Sequence, residues 1–418
     1  MALTAVKGFN DILPDESGRW QYIEQTARRV FALNGFGEIR VPVMEKTELF
    51  CRSIGDATDI VEKEMYTFID KGENSVTLRP EGTAGVMRAF IEHKLYAQDP
   101  IAKLYYLGPM FRYERPQKGR YRQFHQIGAE LTGVHDPLAD AQVLNMLTSF
   151  FREIGLTEPT LQINSLGCHE CRPAYRAALR GFLEERMGHL CEDCKRRFET
   201  NPLRTLDCKV PGCMQATVGA PSVLEHLCSD CDGHFSSVRR YLDHSATPYG
   251  INSRMVRGLD YYTRTTFEMV TGLLGSQSAV AAGGRYDGLI SQLGGPAIPG
   301  IGFAMGLERV ALLLGSQEFA TLPDLFIATM GAGERDVAFR LMDGLLKSGV
   351  RVEMDYEGKS LKSQMRRADK LKARYSVVIG ENEVASGRAV FKRMDDGLQS
   401  LAPLTVAGMR SLVGKSEQ

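Results

Sequence analysis

Arg112, Glu114, Arg120, Phe124, Gln126 and Glu130 crowd into the stretch Tyr106–Glu130, and charges of both signs inside a strand pattern require a reason. An alternating run leads into a basic loop containing Arg115, Gln117, Lys118, Gly119, Arg120 and Arg122, and a second alternating run follows. This reads as a long antiparallel hairpin. Strand side chains alternate between faces, so Arg112 and Glu114 share one face, as do Phe124, Gln126 and Glu130. That face would form a polar floor. A solvated hairpin with cross-strand ion pairs is the simpler account of such charges, and only the remainder of the chain sets it aside.

Other elements must hold that floor in place. Apolar residues at Trp20, Ile23, Ala27, Val30 and Phe31 have the spacing of one helix face, and Asn34-Gly35 ends the helix, predicting Ser17 to Asn34. Strands are predicted near 36–43, 64–70 and 75–79, with Lys71-Gly72-Glu73-Asn74 as a turn, in a sheet that the hairpin extends. A helix over about 137–154 covers the sheet, and strand patterns return near 265–271 and 277–283. Between about 166 and 245 the chain is Cys-rich, charged and helical in pattern, which predicts an insertion. After Pro323 a strand over 324–330, a helix over 333–347, a strand over 350–354, a helix over 360–374 and a strand over 376–380 alternate, which predicts a small α/β domain. Its second helix carries Lys359, Lys362, Arg366, Arg367, Lys370, Lys372 and Arg374 against Asp369 alone. Such a helix suits a solvated face or a phosphate-contacting patch.

Phe111-Arg112-Tyr113-Glu114 followed by a loop and an aromatic-bearing strand resembles motif 2 of the class II aminoacyl-tRNA synthetases. Gly35-Phe36-Gly37-Glu38-Ile39-Arg40-Val41-Pro42 looks like motif 1, and Gly302-Phe303-Ala304-Met305-Gly306-Leu307-Glu308-Arg309 looks like motif 3. Arg257-Gly258-Leu259-Asp260-Tyr261-Tyr262-Thr263 and Ala282-Gly283-Gly284-Arg285-Tyr286-Asp287-Gly288-Leu289 resemble the two signatures of the histidyl-tRNA synthetases, and Lys7-Gly8-Phe9-Asn10-Asp11-Ile12-Leu13-Pro14 also fits them. The resemblance spans essentially the whole chain. It implies an α+β fold: a class II antiparallel sheet flanked by helices (1–165 and 246–322), a helical Cys-rich insertion (166–245) and a C-terminal α/β anticodon-binding domain (323–418).

The resemblance further implies ATP-dependent ligation of L-histidine to the 3′ end of tRNA(His) through a histidyl-adenylate, with Mg2+ accompanying ATP. The histidine carboxylate attacks the α-phosphorus, and being ionised already it needs no strong base. The requirement is to offset phosphate charge and hold in-line geometry, which suits arginines. By resemblance Arg112 and Arg257 face the α-phosphate and Arg309 the γ-phosphate end. Phe124 would stack on adenine, with Glu114 and Arg120 ordering the base and phosphates. A histidine ligand needs anions and neutral hydrogen-bonding groups on opposite sides. Glu81, Thr83 and Gln126 match positions that hold the amino-acid backbone, Glu130 and Tyr262 those that grip the imidazole, and Tyr261 and Tyr286 would line the pocket. Gly283-Gly284 would let the strand backbone approach the ligand. Glu81 could equally be a helix N-terminal acid. His125 alternates away from the floor, so no histidine side chain of the protein is given a role. The motif 2 loop would meet the tRNA acceptor stem, and Pro42 of motif 1 implies a homodimer.

At 418 residues, 43% hydrophobic and 24% charged, the chain suits two or three folded domains. Lys plus Arg equals Asp plus Glu at 51 each, so overall charge gives no hint of nucleic acid, and any such surface must be local. No run of about 18 apolar residues occurs and the N-terminal stretch is polar by Lys7, arguing against a membrane span or secretory signal. The expected location is the cytoplasm. Of the nine cysteines, all but Cys51 form close pairs, Cys168/Cys171, Cys191/Cys194, Cys208/Cys213 and Cys228/Cys231. The spacing suits structural thiolate zinc better than disulfides in a cytosolic protein, while reduced buried thiols are the alternative. Related synthetases carry some of these positions without needing a metal for activity, so no functional metal is expected. Two further readings compete. A regulatory subunit of ATP phosphoribosyltransferase shares the histidyl fold but usually lacks an anticodon domain and loses signature residues, and a class II synthetase for another amino acid would lack the Arg257–Thr263 block.

Overall fold

In the computed structural model, described over residues 3–55, 58–256, 259, 261–275, 279–315, 319 and 322–414, the first helix is Pro14–Leu33. It buries Ile23, Thr26, Ala27, Val30 and Phe31 along one face. Pro14 opens it, where no N–H partner is needed, and Asp15 and Glu16 suit the positive end of the helix dipole. The chain divides into two compact units, residues 1–319 and 320–418.

The strands are β1 (Gly37–Glu38), β2 (Met44–Lys46), β3 (Tyr66–Ile69), β4 (Ser75–Leu78), β5 (Ala102–Phe111), β6 (Gln123–Thr132), β7 (Thr160–Ser165), β8 (Tyr249–Ile251), β9 (Thr263–Val270), β10 (Ala279–Arg285) and β11 (Gly300–Gly306) in the larger unit. Eight of them form one sheet in the order β1-β5-β6-β11-β10-β9-β7-β8. All neighbouring pairs are antiparallel except β1/β5 and β7/β8 at the edges.

Two expectations change. The stretch 36–43 enters the sheet only through β1, and the chain then leaves it through Pro42, which has no N–H to give a ladder. The hairpin of β3 and β4 forms, its turn held by Asp70 Oδ1 accepting from the Gly72 and Asn74 amides at 2.8 Å each, but it does not extend the main sheet. It pairs with β2 in a separate three-stranded sheet, β2-β4-β3.

Alternation divides the main sheet's contents. Ile127, Ala129 and Leu131 of β6 join Phe303 and Met305 of β11 in the large core, with side chains from helices Pro14–Leu33, Leu138–Glu153 and Ser229–His244. On the other face Tyr106, Met110, Tyr261, Tyr262 and Tyr286 pack with Val86, Met87 and Phe90 of helix Thr83–Glu92. The large-core face also holds a buried ion pair. Arg285 is fully buried and pairs with Asp140, which also accepts from His234 Nε2 at 3.1 Å.

The Cys-rich segment has helices Cys171–Glu184 and Glu192–Thr200 around a smaller core of Tyr175, Leu179, Leu183, Phe198 and Leu206. Helix Ser229–His244 sends Phe235, Val238 and Leu242 into the main core instead. The smaller unit holds β12 (Leu325–Thr329), β13 (Val352–Met354), β14 (Tyr375–Ile379), β15 (Arg388–Arg393) and β16 (Gln399–Pro403) in the order β13-β12-β14-β15-β16. Helices Ala332–Lys347, Leu361–Lys370 and Val406–Val413 cover it, and Lys362, Arg366, Arg367 and Lys370 of the second are exposed. Among the described residues no helix is long and apolar enough to cross a membrane.

Candidate active site

The polar face of β6 looks into a cavity of about 290 Å³ lined by Glu81, Thr83, Arg112, Glu114, Arg120, Phe124, Gln126, Glu130, Tyr261, Tyr262, Tyr286 and Arg309, with twelve neighbours. These are all the residues proposed from sequence for ATP and histidine save Arg257, which lies outside the described residues. The register explains the convergence. Phe124 lies opposite Met110 of β5, while Gln126 and Glu130 lie opposite Gly306 and Gly302 of β11. The neighbouring glycines leave the polar side chains room. A Cβ on Gly302 would sit 1.8 Å from Glu130 Oε2.

One end of the cavity is built from carboxylates and tyrosines. Glu130 accepts from Thr83 Oγ1 at 2.7 Å and from the Tyr286 hydroxyl at 2.6 Å, one donor on each oxygen. Burial pushes its carboxyl up to about 8, against these two hydrogen bonds, with Glu81 adding to the rise. Glu81 accepts from the Thr83 and Ala84 amides at 2.7 and 2.8 Å, so it caps helix Thr83–Glu92. Its carboxyl is likewise raised by burial, and the two amide hydrogen bonds and Arg112 offset part of that rise. The helix-terminal role open to Glu81 from sequence is therefore realised in a residue that also lines the cavity. Gln126 Oε1 is buried and has no hydrogen-bond partner among the described residues. The Tyr261 ring lies 4.6 Å from that of Tyr262 and 5.9 Å, edge on, from that of Tyr286.

The other end is cationic. Arg112 donates through Nε to the Pro80 carbonyl at 2.8 Å, and its guanidinium lies 5.3 Å from the Phe124 ring centre. Arg120 pairs with Glu114. Arg309, in the first turn of helix Leu307–Leu313, donates through Nε to the Gly119 carbonyl at 3.4 Å and also to the Ala279 carbonyl. Burial lowers the proton affinity of Arg309, and Arg120 and Arg112 lower it further. Three guanidiniums held in mutual repulsion within a cavity form a site for a polyanion.

One expectation from sequence meets different geometry, while that for His125 agrees with the structure. Gly283 and Gly284 do not line the cavity. A Cβ on Gly283 would meet the Gly302 carbonyl at 2.1 Å, and one on Gly284 would meet Tyr262 Cδ1 at 2.8 Å, so both make room for neighbouring protein. His125 points away from the cavity, its ring 5.0 Å from Trp20 and its amide donating to Glu308 at 2.9 Å. Sequence reasoning missed Gly302 as a spacer for Glu130. It also missed the Asp140–Arg285 pair, for which the lone Asp on an apolar helix face was the available sign. The eight paired cysteines gather into two sets, Cys168, Cys171, Cys228 and Cys231, and Cys191, Cys194, Cys208 and Cys213. The first pair in sequence thus joins the fourth, and the second the third.

Comparison with known proteins gives the same direction throughout. A family model described as Histidyl-tRNA synthetase matches residues 8–180 and 215–310, and one described as Anticodon binding domain matches 324–407. The histidine–tRNA ligases of Pelobacter propionicus and Geobacter metallireducens are 79% identical over 404 residues and 73% identical over 409, each alignment covering 97% of this chain and 98% and 99% of the relatives. The crystal structure of apo Staphylococcus aureus histidyl-tRNA synthetase superimposes with a TM-score of 0.80 at 36% identity, covering 99% of each chain. With the hairpin, the glycine-lined strand and the split cavity in place, the chain belongs to the histidyl-tRNA synthetase family.

Proposed function

We propose that this chain ligates L-histidine to the 3′ end of tRNA(His) in two steps at one cavity, first forming histidyl-adenylate from ATP with release of pyrophosphate, then passing the histidyl group to tRNA with release of AMP. The observation that carries the reading is the cavity's division into a carboxylate and tyrosine end and a three-arginine end. The first accepts an ammonium and an imidazole, and the second accepts a triphosphate.

The residue roles are those that the family motifs imply, and the chemistry of the cavity supports them. Gln126 Oε1 and the Glu81 carboxylate offer acceptors to the ammonium of histidine, and Thr83 links Glu81 to Glu130. Glu130 takes an imidazole N–H, with Tyr262 on its other side and Tyr261 and Tyr286 closing the walls. A pocket that must pair two ring nitrogens rejects amino acids lacking them more strongly than an apolar pocket could. Arg112 meets the α-phosphate, Arg309 the γ-phosphate end, and Arg257 the α-phosphate by its motif. Charge that builds on the phosphates as the carboxylate attacks is met by groups already desolvated and held by carbonyls. Phe124 is the adenine platform, and Arg120 exchanges Glu114 for phosphate.

Mg2+ supplies further offset of phosphate charge when bound. Of the four carboxylates that line the cavity among the described residues, Glu81 caps a helix, Glu130 holds two hydroxyl donors, Glu308 accepts from His125, and Glu114 lies against Arg120. That set fits an ion that arrives on the phosphates and keeps its waters, with Glu114, beside Arg120, as a carboxylate of the lining placed to touch it. The basic helix Leu361–Lys370 supports anticodon-side phosphate contacts, and the matched anticodon-binding region contains it. Val43, Met44, Phe68 and Ile69 are exposed on and beside the three-stranded sheet that follows Pro42, an apolar surface that suits a homodimer contact. The cytoplasm, where charged tRNA is used, is the proposed location.

The test is exchange of labelled pyrophosphate into ATP, run with each of the twenty amino acids. Exchange with histidine alone is the expected result. Histidine binding without exchange would move the chain to the regulatory class.

A further inference from the structure

We propose that residues 168–231 hold two structural zinc ions in tetrathiolate centres, one formed by Cys168, Cys171, Cys228 and Cys231 and the other by Cys191, Cys194, Cys208 and Cys213. In each set the four sulfurs all lie within 4.8 Å of one another. Cys168 Sγ is 3.7 Å from Cys171 Sγ and 3.8 Å from Cys228 Sγ, and Cys191 Sγ is 3.9 Å from Cys208 Sγ. Four thiolates at about 2.3 Å from a tetrahedral zinc stand roughly 3.8 Å apart. A disulfide would need about 2.05 Å and would join only two of each four. All eight cysteines are unbridged.

The surroundings of the sulfurs repeat between the centres. The Cys228 amide donates to Cys171 Sγ and the Cys191 amide to Cys213 Sγ, each at 3.1 Å. Cys171 opens helix Cys171–Glu184, while Cys228 and Cys191 are the residues that precede helices Ser229–His244 and Glu192–Thr200. Each set includes buried sulfurs, namely Cys171 and Cys231 in the first and Cys194, Cys208 and Cys213 in the second. Four soft ligands with no oxygen or nitrogen among them select zinc over harder ions, and a closed set of four leaves no open position for catalysis.

Topology gives the centres different tasks. The first joins the start of the segment to its end, so it closes the Cys-rich loop at its base. Arg172, the residue after Cys171, donates to the Tyr262 carbonyl, and Gly167 accepts from the Arg264 amide at 2.9 Å, so this base abuts the histidine end of the cavity. The second lies inside the segment, where Cys194, Cys208 and Cys213 belong to its small core. A core of that size gains much from a metal.

The test is metal analysis of the full-length protein purified without chelator from zinc-supplemented growth, followed by titration with a mercurial reagent while a chromogenic chelator reports released zinc. Two equivalents of zinc per chain are expected, released stepwise as thiols are blocked. Cys208→Ser and Cys228→Ser should each remove one equivalent. If a variant fails to fold, the stepwise release from the unmodified chain still decides the matter. A metal-free chain whose thiols all react freely in the native state overturns the proposal, a single equivalent refutes the two-centre pairing, and bound iron with visible absorption refutes zinc.

Discussion

The Tyr286 hydroxyl donates to Glu130 Oε2 at 2.6 Å, while Thr83 takes the other oxygen of the same carboxylate. Removing the first donor with Tyr286→Phe leaves a buried carboxylate short of one hydrogen bond, a loss of about 1.5–3 kcal/mol to the charged form. The KM for histidine in pyrophosphate exchange should rise roughly tenfold to a hundredfold, with the KM for ATP little changed. An equal rise in both would detach Tyr286 from the histidine end.

Glu130 gives the site a pH signature. Burial raises its carboxyl from an ordinary carboxylate value to about 8. Between those values the folded chain binds a proton that the unfolded chain has released, so this stabilising contribution is present in acid and is lost as pH rises through 8. An imidazole N–H favours the ionised form, so histidine binding at pH 7 should release a proton. Calorimetry in two buffers of different ionisation heat measures that release, and Glu130→Gln should abolish it. Unchanged proton release in the variant would assign it to another group.

Gly302 lies opposite Glu130 on the adjoining strand, and a Cβ there would overlap the carboxylate. Gly302→Ala should therefore weaken histidine activation by at least about tenfold through displacement of Glu130, the scale of one lost hydrogen bond to a charged group. ATP-dependent steps that do not use the imidazole should suffer less. Steady-state KM values for the two substrates distinguish this from general damage.

Arg257→Ala should reduce histidyl-adenylate formation by roughly a hundredfold or more, the scale of losing a transition-state charge contact. Arg112→Ala and Arg309→Ala should act similarly, because their guanidiniums already stand desolvated in the cavity. Single-turnover adenylation measures all three. Near-normal adenylation in any one would remove that arginine from the phosphate site.

Asp140→Ala should destabilise the fold by about 3–5 kcal/mol, because it strands a buried guanidinium. Arg285 is wholly buried and Asp140 is its chief anionic partner, with Asp287 at 3.1 Å the other. Denaturant unfolding checks this. A loss under about 1 kcal/mol would mean that water or the Val134 carbonyl suffices.

The hairpin of β5 and β6 was legible because local alternation already separates Ile127, Ala129 and Leu131 from Phe124, Gln126 and Glu130. The helix Pro14–Leu33 was legible from the spacing of Ile23, Ala27, Val30 and Phe31. Strand β11 was less so. Gly300, Gly302, Ala304 and Gly306 look like a loop until the face that they share proves to be the one where Glu130 and Gln126 need space. The separation of β2, β3 and β4 from the main sheet was hidden, since alternation reports that a strand exists and is silent on its partners. Asp140 with Arg285, and Cys168 with Cys228, unite residues far apart in the chain, and such pairings are set by topology.

Arg285 and Tyr286 are consecutive, yet one is tied to Asp140 beneath the sheet and the other to Glu130 above it. A strand end clamped on both faces cannot roll without breaking a buried ion pair and a buried carboxylate contact together. The floor of the histidine end should therefore open only with the whole larger unit, placing its amides among the slowest to exchange with deuterated solvent. Selectivity for the amino acid would then rest on the most persistent part of the molecule, leaving faster adjustments to the loop between β5 and β6.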